Sequence, residues 1–315
     1  MIRFTGTFIF LFLAQLPLKG QQSVKTHEGV PIGGIEQWIG ATGDDDTKPL
    51  LLFLHGGPGF SSRAYSKKFV KHLRKDFIVA QWDQRGTGIT KAWNPEEDSL
   101  SIDLMHADTR EVVDYLLKKF DKDKLYLVGF SWGGFLRFEY ASKHPDKLHA
   151  FISVSGTIAG EASDRKTLSY LLRRASSDGN ATALVELQNV QIPFESWEQL
   201  YYQRKWTAYF SGVKASKRTY PRSLFEEWSG TWMSLFNEAC RVDYRTAAHD
   251  LDCPIYFFVA RKDLVANFEI TQDYYESLKA ERKHLIWFDE STHEIPTQEP
   301  KRFSEQLIKI AAEND

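Results

Sequence analysis

Cysteine is scarce in this chain: its 315 residues include two, Cys240 and Cys253. That excludes a small scaffold held by a disulfide framework. One disulfide or two buried thiols remain open, because the sequence does not give the separation of the two Cα atoms. Zinc-type Cys/His spacing and internal repeats are both missing, so neither a structural metal nor a repeat architecture is implied. Charge of one sign is missing too. The formal net charge is −2, which leaves no global basic field for nucleic acid. Long apolar runs are also lacking; Phe8 to Ala14 is too short for a comfortable membrane span.

That apolar run follows Arg3 and precedes Gly20 and the polar Gln21-Gln22-Ser23. A basic start, a short apolar centre and a small exit residue read as a secretory signal peptide over residues 1–20. The expectation is a secreted or periplasmic protein with no stable membrane insertion after signal removal. The alternative is an uncleaved N-terminal anchor, since Leu18 and Gly20 stand where two small residues favour cleavage. Asn180-Ala181-Thr182 is the one N-x-S/T triplet, and it bears on glycosylation only in a eukaryotic secretory pathway.

What is present is a sizeable apolar complement, 42%, with 14% aromatic residues. Short apolar runs alternate with longer amphipathic stretches, the pattern of a parallel sheet with crossover helices. Leu50–Leu54, Phe77–Ala80, Leu125–Val128 and Phe151–Val154 read as buried strands. Leu104, Ala107, Val112, Tyr115 and Leu116 predict a helix over 103–119. The strand rhythm stops near residue 157 and resumes at Ile255–Val259 and Leu285–Phe288, before a last amphipathic helix over 299–312. Residues 24–40, with glycines at 33 and 34, predict an antiparallel hairpin. The organisation is therefore a core over 21–156 and 246–315, interrupted by a helical cap over 157–245.

Gly129-Phe130-Ser131-Trp132-Gly133 follows one of these strands and opens a helix. That is the context of a nucleophile elbow, in which two glycines permit a tight turn with Ser131 at its tip. His55-Gly56-Gly57-Pro58-Gly59 follows strand 50–54. Its backbone N–H at Gly57, with that of Trp132, suits an oxyanion hole. Asp83-Gln84-Arg85-Gly86-Thr87-Gly88 matches no phosphate-loop pattern; Asp83 and Arg85 are expected to brace the glycine loop.

A serine hydroxyl needs a base to take its proton. Of nine histidines, His293 lies in the loop after the last strand, where the order Ser, acid, His requires it. His284 precedes that strand. Asp263, after strand 255–259, is the expected acid, with Asp289 and Glu290 as alternatives.

With these motifs in this order, the sequence resembles the proline iminopeptidase family of serine peptidases. The resemblance rests on H-G-G-P-G, D-Q-R-G-x-G, G-x-S-W-G-G, the acid after the next-to-last strand and a His followed by Glu299-Pro300. It covers residues 28–156 and 250–305. It implies an α/β-hydrolase fold, a mostly parallel sheet flanked by helices with a helical cap insertion, and no metal or organic cofactor. It also implies a triad of Ser131, Asp263 and His293 with Gly57 and Trp132 at the oxyanion hole. Two positions depart from the family pattern: Ala260 stands where Gly is usual in the acid loop, and Thr292 precedes the His in place of Gly. The resemblance further implies cap carboxylates that bind the substrate's α-amino group. Glu195, Glu198, Glu226 and Glu227, interleaved with Trp197, Trp228 and Trp232, are the candidates; the alternative for them is a solvated helix face. The partner expected is a small peptide or amino-acid derivative, cleaved at its N-terminal residue through an acyl-enzyme. A carboxylesterase with the same triad is the alternative. Epoxide hydrolases share such a fold but use an Asp nucleophile, against which Ser131 argues.

Overall fold

The computed structural model describes residues 22–96, 100–212, 221–247, 251–280 and 282–314. The signal peptide expected over 1–20 lies outside them. Eight strands form one sheet: β1 (Val24–Ile32), β2 (Ile35–Gly43), β3 (Leu50–Leu54), β4 (Ile78–Trp82), β5 (Leu125–Phe130), β6 (Leu148–Val154), β7 (Ile255–Ala260) and β8 (Lys283–Phe288). Their order across the sheet is β1-β2-β4-β3-β5-β6-β7-β8. β1 and β2 pair antiparallel, as the glycine turn at 33 and 34 predicts, and β2 joins β4 antiparallel. All other pairs are parallel.

The central strands are apolar without alternation because both of their faces are covered. Leu50, Leu52 and Leu54 pack on one side with Val112 and Leu116 of α3 (Ile102–Phe120) and Leu136 of α4 (Trp132–Lys143). In chain order, α1 (Lys67–Leu73) and α2 (Gly88–Trp93) precede them. Leu51 and Phe53 face the opposite side, against Phe69 of α1 and Phe303 of the C-terminal helix. Ser101 caps α3 by accepting a hydrogen bond from the Leu104 N–H, and Asp121, at φ 53°, ends it. The left-handed residue stops the helix and turns the chain toward β5.

Between β6 and β7 the chain leaves the sheet and forms four helices: α5 (Gly160–Ser177), α6 (Ala181–Gln188), α7 (Trp197–Phe210) and α8 (Arg222–Cys240). They carry small cores of their own. Leu171, Ala183, Leu187 and Trp206 form one, and Ile192, Phe194 and Leu200 another. The Asn180 side chain caps α6 at the Ala183 N–H, 3.1 Å away. The chain then returns through β7, α9 (Phe268–Ser277), β8, α10 (Ile295–Gln298) and α11 (Pro300–Asn314).

Several boundaries differ from the sequence expectation. β6 opens at Leu148, and β5 runs on to Phe130. His284 lies inside β8 instead of before it, paired with Tyr256 and stacked on its ring at 4.6 Å. An edge strand tolerates Lys283 and His284 because only one of its sides is paired. Cys240 and Cys253 are free thiols, both buried; burial pushes each pKa up, that of Cys253 to about 12. No helix of the described residues is long and apolar enough to cross a membrane.

A buried polar knot fixes the first hairpin to the rest of the sheet. Arg85 forks onto Asp108 at 2.9 and 3.1 Å and donates to the Gly33 carbonyl at 2.7 Å. Gln37 donates to Asp108 at 2.8 Å and accepts from the Trp82 indole at 2.8 Å. Gly33, at φ 54°, is held so close to Asp108 Oδ1 and Arg85 Nη2 that a Cβ would overlap both. Arg85 therefore points away from the role expected of it: it anchors the β1–β2 turn to α3.

Candidate active site

The loops that follow β3, β5, β7 and β8 converge at one edge of the sheet, the carboxyl edge where parallel sheets bind ligands. β5 ends on Phe130, and α4 begins on Trp132. Ser131 alone makes the turn, at φ 53° and ψ −114°. No L-residue adopts that conformation without strain, so the surroundings must impose it. The Ser131 N–H is held by the Val154 carbonyl at 3.0 Å, and its own carbonyl accepts from the Gly134 N–H at 2.6 Å. Gly133 lets α4 press against β3: a Cβ there would lie 2.5 Å from the Leu54 carbonyl oxygen.

His293 Nε2 stands 2.9 Å from Ser131 Oγ. Its Nδ1 lies 3.0 and 3.2 Å from the two oxygens of Asp263. Asp263 is 1% exposed, and its Oδ1 also accepts from the N–H groups of Val265 and Ala266, at 2.8 and 3.0 Å. Such donors fix the direction of a buried carboxylate. Burial disfavours the charged imidazolium of His293, but the Asp263 charge and hydrogen bond outweigh it, so the pKa stands above its ordinary value. The two alternative acids are engaged elsewhere, in exposed ion pairs: Asp289 with Arg261 at 2.9 Å and Glu290 with Lys262 at 3.4 Å.

Gly57, at φ 123°, and Trp132 line one small cavity together with Thr157 and Cys240. Trp132 is the first residue of α4, where backbone N–H groups have no partner within the helix. The sequence signals missed the ties behind this pair. The Trp132 indole donates to Gln84 Oε1 at 3.1 Å, and the Gln84 N–H donates to His55 Nε2 at 3.3 Å. Nδ1 of His55 lies 2.8 Å from the Gly56 carbonyl. Burial pushes the His55 pKa down, so the ring is a neutral acceptor at Nε2 and a donor at Nδ1. Asp83 accepts from the Ser61 hydroxyl, just past the glycine loop, and from the Ile89 N–H at 2.9 Å. Bracing of the glycine loop thus falls to Asp83 and Gln84 rather than to Arg85.

A cavity of about 470 Å³ opens at His293, whose Nε2 reaches Ser131 Oγ. Its floor is Gly57, Phe130 and His293, and α7 and α8 roof it with Leu200, Arg204, Phe225, Trp228 and Phe236. None of the four cap glutamates lines it. Glu195 is exposed before α7, and Glu198 pairs at long range with Arg222, 3.8 Å. Glu226 and Glu227 are exposed on α8. Phe225, Trp228, Trp232 and Phe236 recur at three- and four-residue spacing and form the inward stripe, which leaves Glu226 and Glu227 off it. The carboxylate in the cavity wall is instead Glu294, directly after His293. Its side chain is exposed to the cavity, and the protein packed around it pushes its pKa up by desolvation. The signal for it in the sequence was the plain dipeptide His293-Glu294. Among the described residues, no group of three His, Cys, Asp or Glu side chains is arranged to hold a metal ion.

The sequence profile of the α/β-hydrolase fold matches residues 49–286. The chain belongs to that family. This α/β-hydrolase is 28% identical over 312 residues to a probable aminopeptidase, YbaC, of Bacillus subtilis, covering 92% of this chain and 98% of that protein. It is 33% identical over 131 residues to a proline iminopeptidase of Aeromonas sobria, a match to 36% of this chain and 29% of that protein. Among solved structures, a proline iminopeptidase of Mycobacterium smegmatis superimposes with a TM-score of 0.64 at 17% identity, over 92% of this chain and 98% of that one. The likeness to the solved structure shows a shared fold, and a shared fold does not by itself fix the substrate.

Proposed function

We propose that this protein is a serine hydrolase that removes the N-terminal residue from peptides or amino-acid amides. The observation that carries the chemistry is the unbroken hydrogen-bond chain Ser131–His293–Asp263 at the cavity floor. Ser131 Oγ attacks the substrate carbonyl carbon while His293 Nε2 takes its proton. Asp263 holds Nδ1–H toward itself and stabilises the imidazolium. The carbonyl π pair moves onto oxygen, which receives the N–H groups of Gly57 and Trp132. Collapse expels the leaving amine with the proton from His293 and leaves an acyl-Ser131 ester. Water, deprotonated by the same His293, hydrolyses that ester and regenerates the serine.

Support for the amide class comes from the relatives: one is a probable aminopeptidase across nearly its whole length, and another is a proline iminopeptidase. The test is twofold. A fluorophosphonate should label Ser131 alone, and Ser131→Ala should abolish labelling and turnover. A panel of alanyl and prolyl arylamides, each with free and N-acetylated amine, should show cleavage of the free-amine members. Cleavage of short-chain esters with no arylamide turned over would replace the peptidase reading with a carboxylesterase.

A further inference from the structure

Every cation in the wall of the large cavity already has a carboxylate. Arg204 on α7 donates to Asp164 Oδ1 at 2.8 Å, a pair whose side chains are 14% and 4% exposed. Lys262, at the cavity edge, pairs with Glu290 at 3.4 Å. Glu294 is different. Among the described residues no Lys or Arg lies within ion-pair distance of its carboxylate, and its main-chain carbonyl, not its side chain, accepts the local bonds from Thr297 and Gln298. Among the described residues, Glu294 is therefore the one carboxylate of the cavity wall, and it has no cationic partner. Glu294 is exposed to the cavity, and a ligand that brings an ammonium into that cavity can pair with it through a charge-assisted hydrogen bond.

Its position narrows the ligand. Glu294 follows His293 directly, so the two Cα atoms are about 3.8 Å apart, and both side chains line the same cavity. His293 Nε2 is already 2.9 Å from Ser131 Oγ. An ammonium seated on Glu294 thus lies close to the reacting carbonyl, as an α-amino group does and a remote side-chain amine does not. The surrounding wall is aromatic, with Tyr65, Phe130, Phe225 and Trp228. Ring faces attract a cation and pack against an apolar side chain.

We infer that Glu294, on the core loop beside the catalytic histidine, is the acceptor for the substrate's free α-ammonium, in place of the cap glutamates. The inference rests on the peptidase reading above and names the residue that makes the site selective. It also separates this chain from the expectation drawn from its family resemblance, which placed that carboxylate in the cap. Burial raises the Glu294 pKa, His293 opposes the rise, the Asp263 charge adds to it and Lys68 opposes it, so a bound ammonium also favours the ionised form.

The experiment compares kcat/KM for alanine p-nitroanilide and its N-acetylated form, with p-nitrophenyl acetate reporting an intact triad. In Glu294→Gln the ratio of free to blocked amide should fall at least about 10-fold, the size of one lost charge-assisted hydrogen bond. Ester hydrolysis should fall by much less. Glu226→Gln and Glu195→Gln should keep the wild-type ratio. A second measurement needs no variant. Phenethylammonium should inhibit ester hydrolysis by the wild-type protein competitively, at least about 10-fold more strongly than neutral phenethyl alcohol, on the same grounds. Retention of the ratio in Glu294→Gln, collapse of the ratio in a cap variant, or equal inhibition by amine and alcohol overturns the inference. If no free-amine amide is cleaved at all while the ester is, the peptidase reading fails instead.

Discussion

The indole N–H of Trp228, on cap helix α8, donates to the carbonyl oxygen of Pro58, in the glycine loop of the core, at 2.8 Å. One turn further along, Trp232 sits so close to Gly59 and Gly86 that a Cβ at either would overlap its ring. The cap is thus pinned to the loop that carries the Gly57 N–H. Trp228→Phe keeps the ring and removes the donor. The expected result is a fall in kcat of up to about 10-fold, the net worth of one neutral hydrogen bond, of similar size for every amide tested. A change in KM alone, differing between substrates, would mean that Trp228 is only a wall.

Asp263→Asn should retain the fold, because an amide oxygen can still accept from Val265 and Ala266. It should cut kcat by about 10⁴, since the amide favours the wrong histidine tautomer. Asp289→Asn, which loses only an exposed pair with Arg261, should change kcat little. Steady-state kinetics on one ester and one amide decide this, with circular dichroism as the check on folding.

The core strands and the elbow were legible because both obey local rules. A strand covered on both faces must be apolar throughout, as Leu50–Leu54 is, and a turn with a side chain at φ 53° needs glycine close by. The order of serine, acid and histidine follows from which ends of the strands meet, so Asp263 and His293 could be named beside Ser131 without coordinates, and the structure brings the three within hydrogen-bond distance. The cap was less legible because helix spacing shows a stripe but not its direction. Glu226 and Glu227 lie beside the tryptophans in sequence, yet α8 turns them outward. No spacing rule singles out one acid beside a histidine, so the place of Glu294 in the cavity wall is visible only in the structure. Arg85 was misread because its partner, Asp108, is far along the chain.

The knot at Arg85 is a test of stability apart from chemistry. Asp108→Ala would remove the carboxylate partner of a guanidinium that is 2% exposed at its side chain, leaving it the Gly33 carbonyl, and would take one hydrogen bond from Gln37. Removing one partner of a buried pair costs about 3–5 kcal/mol. The urea midpoint should drop accordingly, while Arg85→Met with Asp108→Leu together should recover part of the loss. Equal stability of Asp108→Ala and wild type would show that water enters the site and takes the place of the carboxylate.

The pH profile should report the charges around His293, whose neutral form must accept the Ser131 proton. Burial alone would lower its pKa; the Asp263 charge and hydrogen bond overcome that, Glu294 adds in the same direction and Arg204 opposes. The acid limb of kcat/KM on a neutral ester should therefore have an apparent pKa above about 6.5, the ordinary histidine value. Glu294→Gln removes one of the charges that raise it, so the limb should move toward lower pH. Stability has the opposite sense. A histidine whose folded pKa is raised contributes stability that is fully present below about 6.5 and is lost as pH rises through the raised value. The wild-type protein should thus lose this contribution over the same range in which it gains activity, and His293→Gln should flatten that part of the stability curve. Rate profiles and thermal midpoints at a series of pH values measure both. An acid limb that stays in place or moves upward in Glu294→Gln would show that its carboxylate does not act on His293.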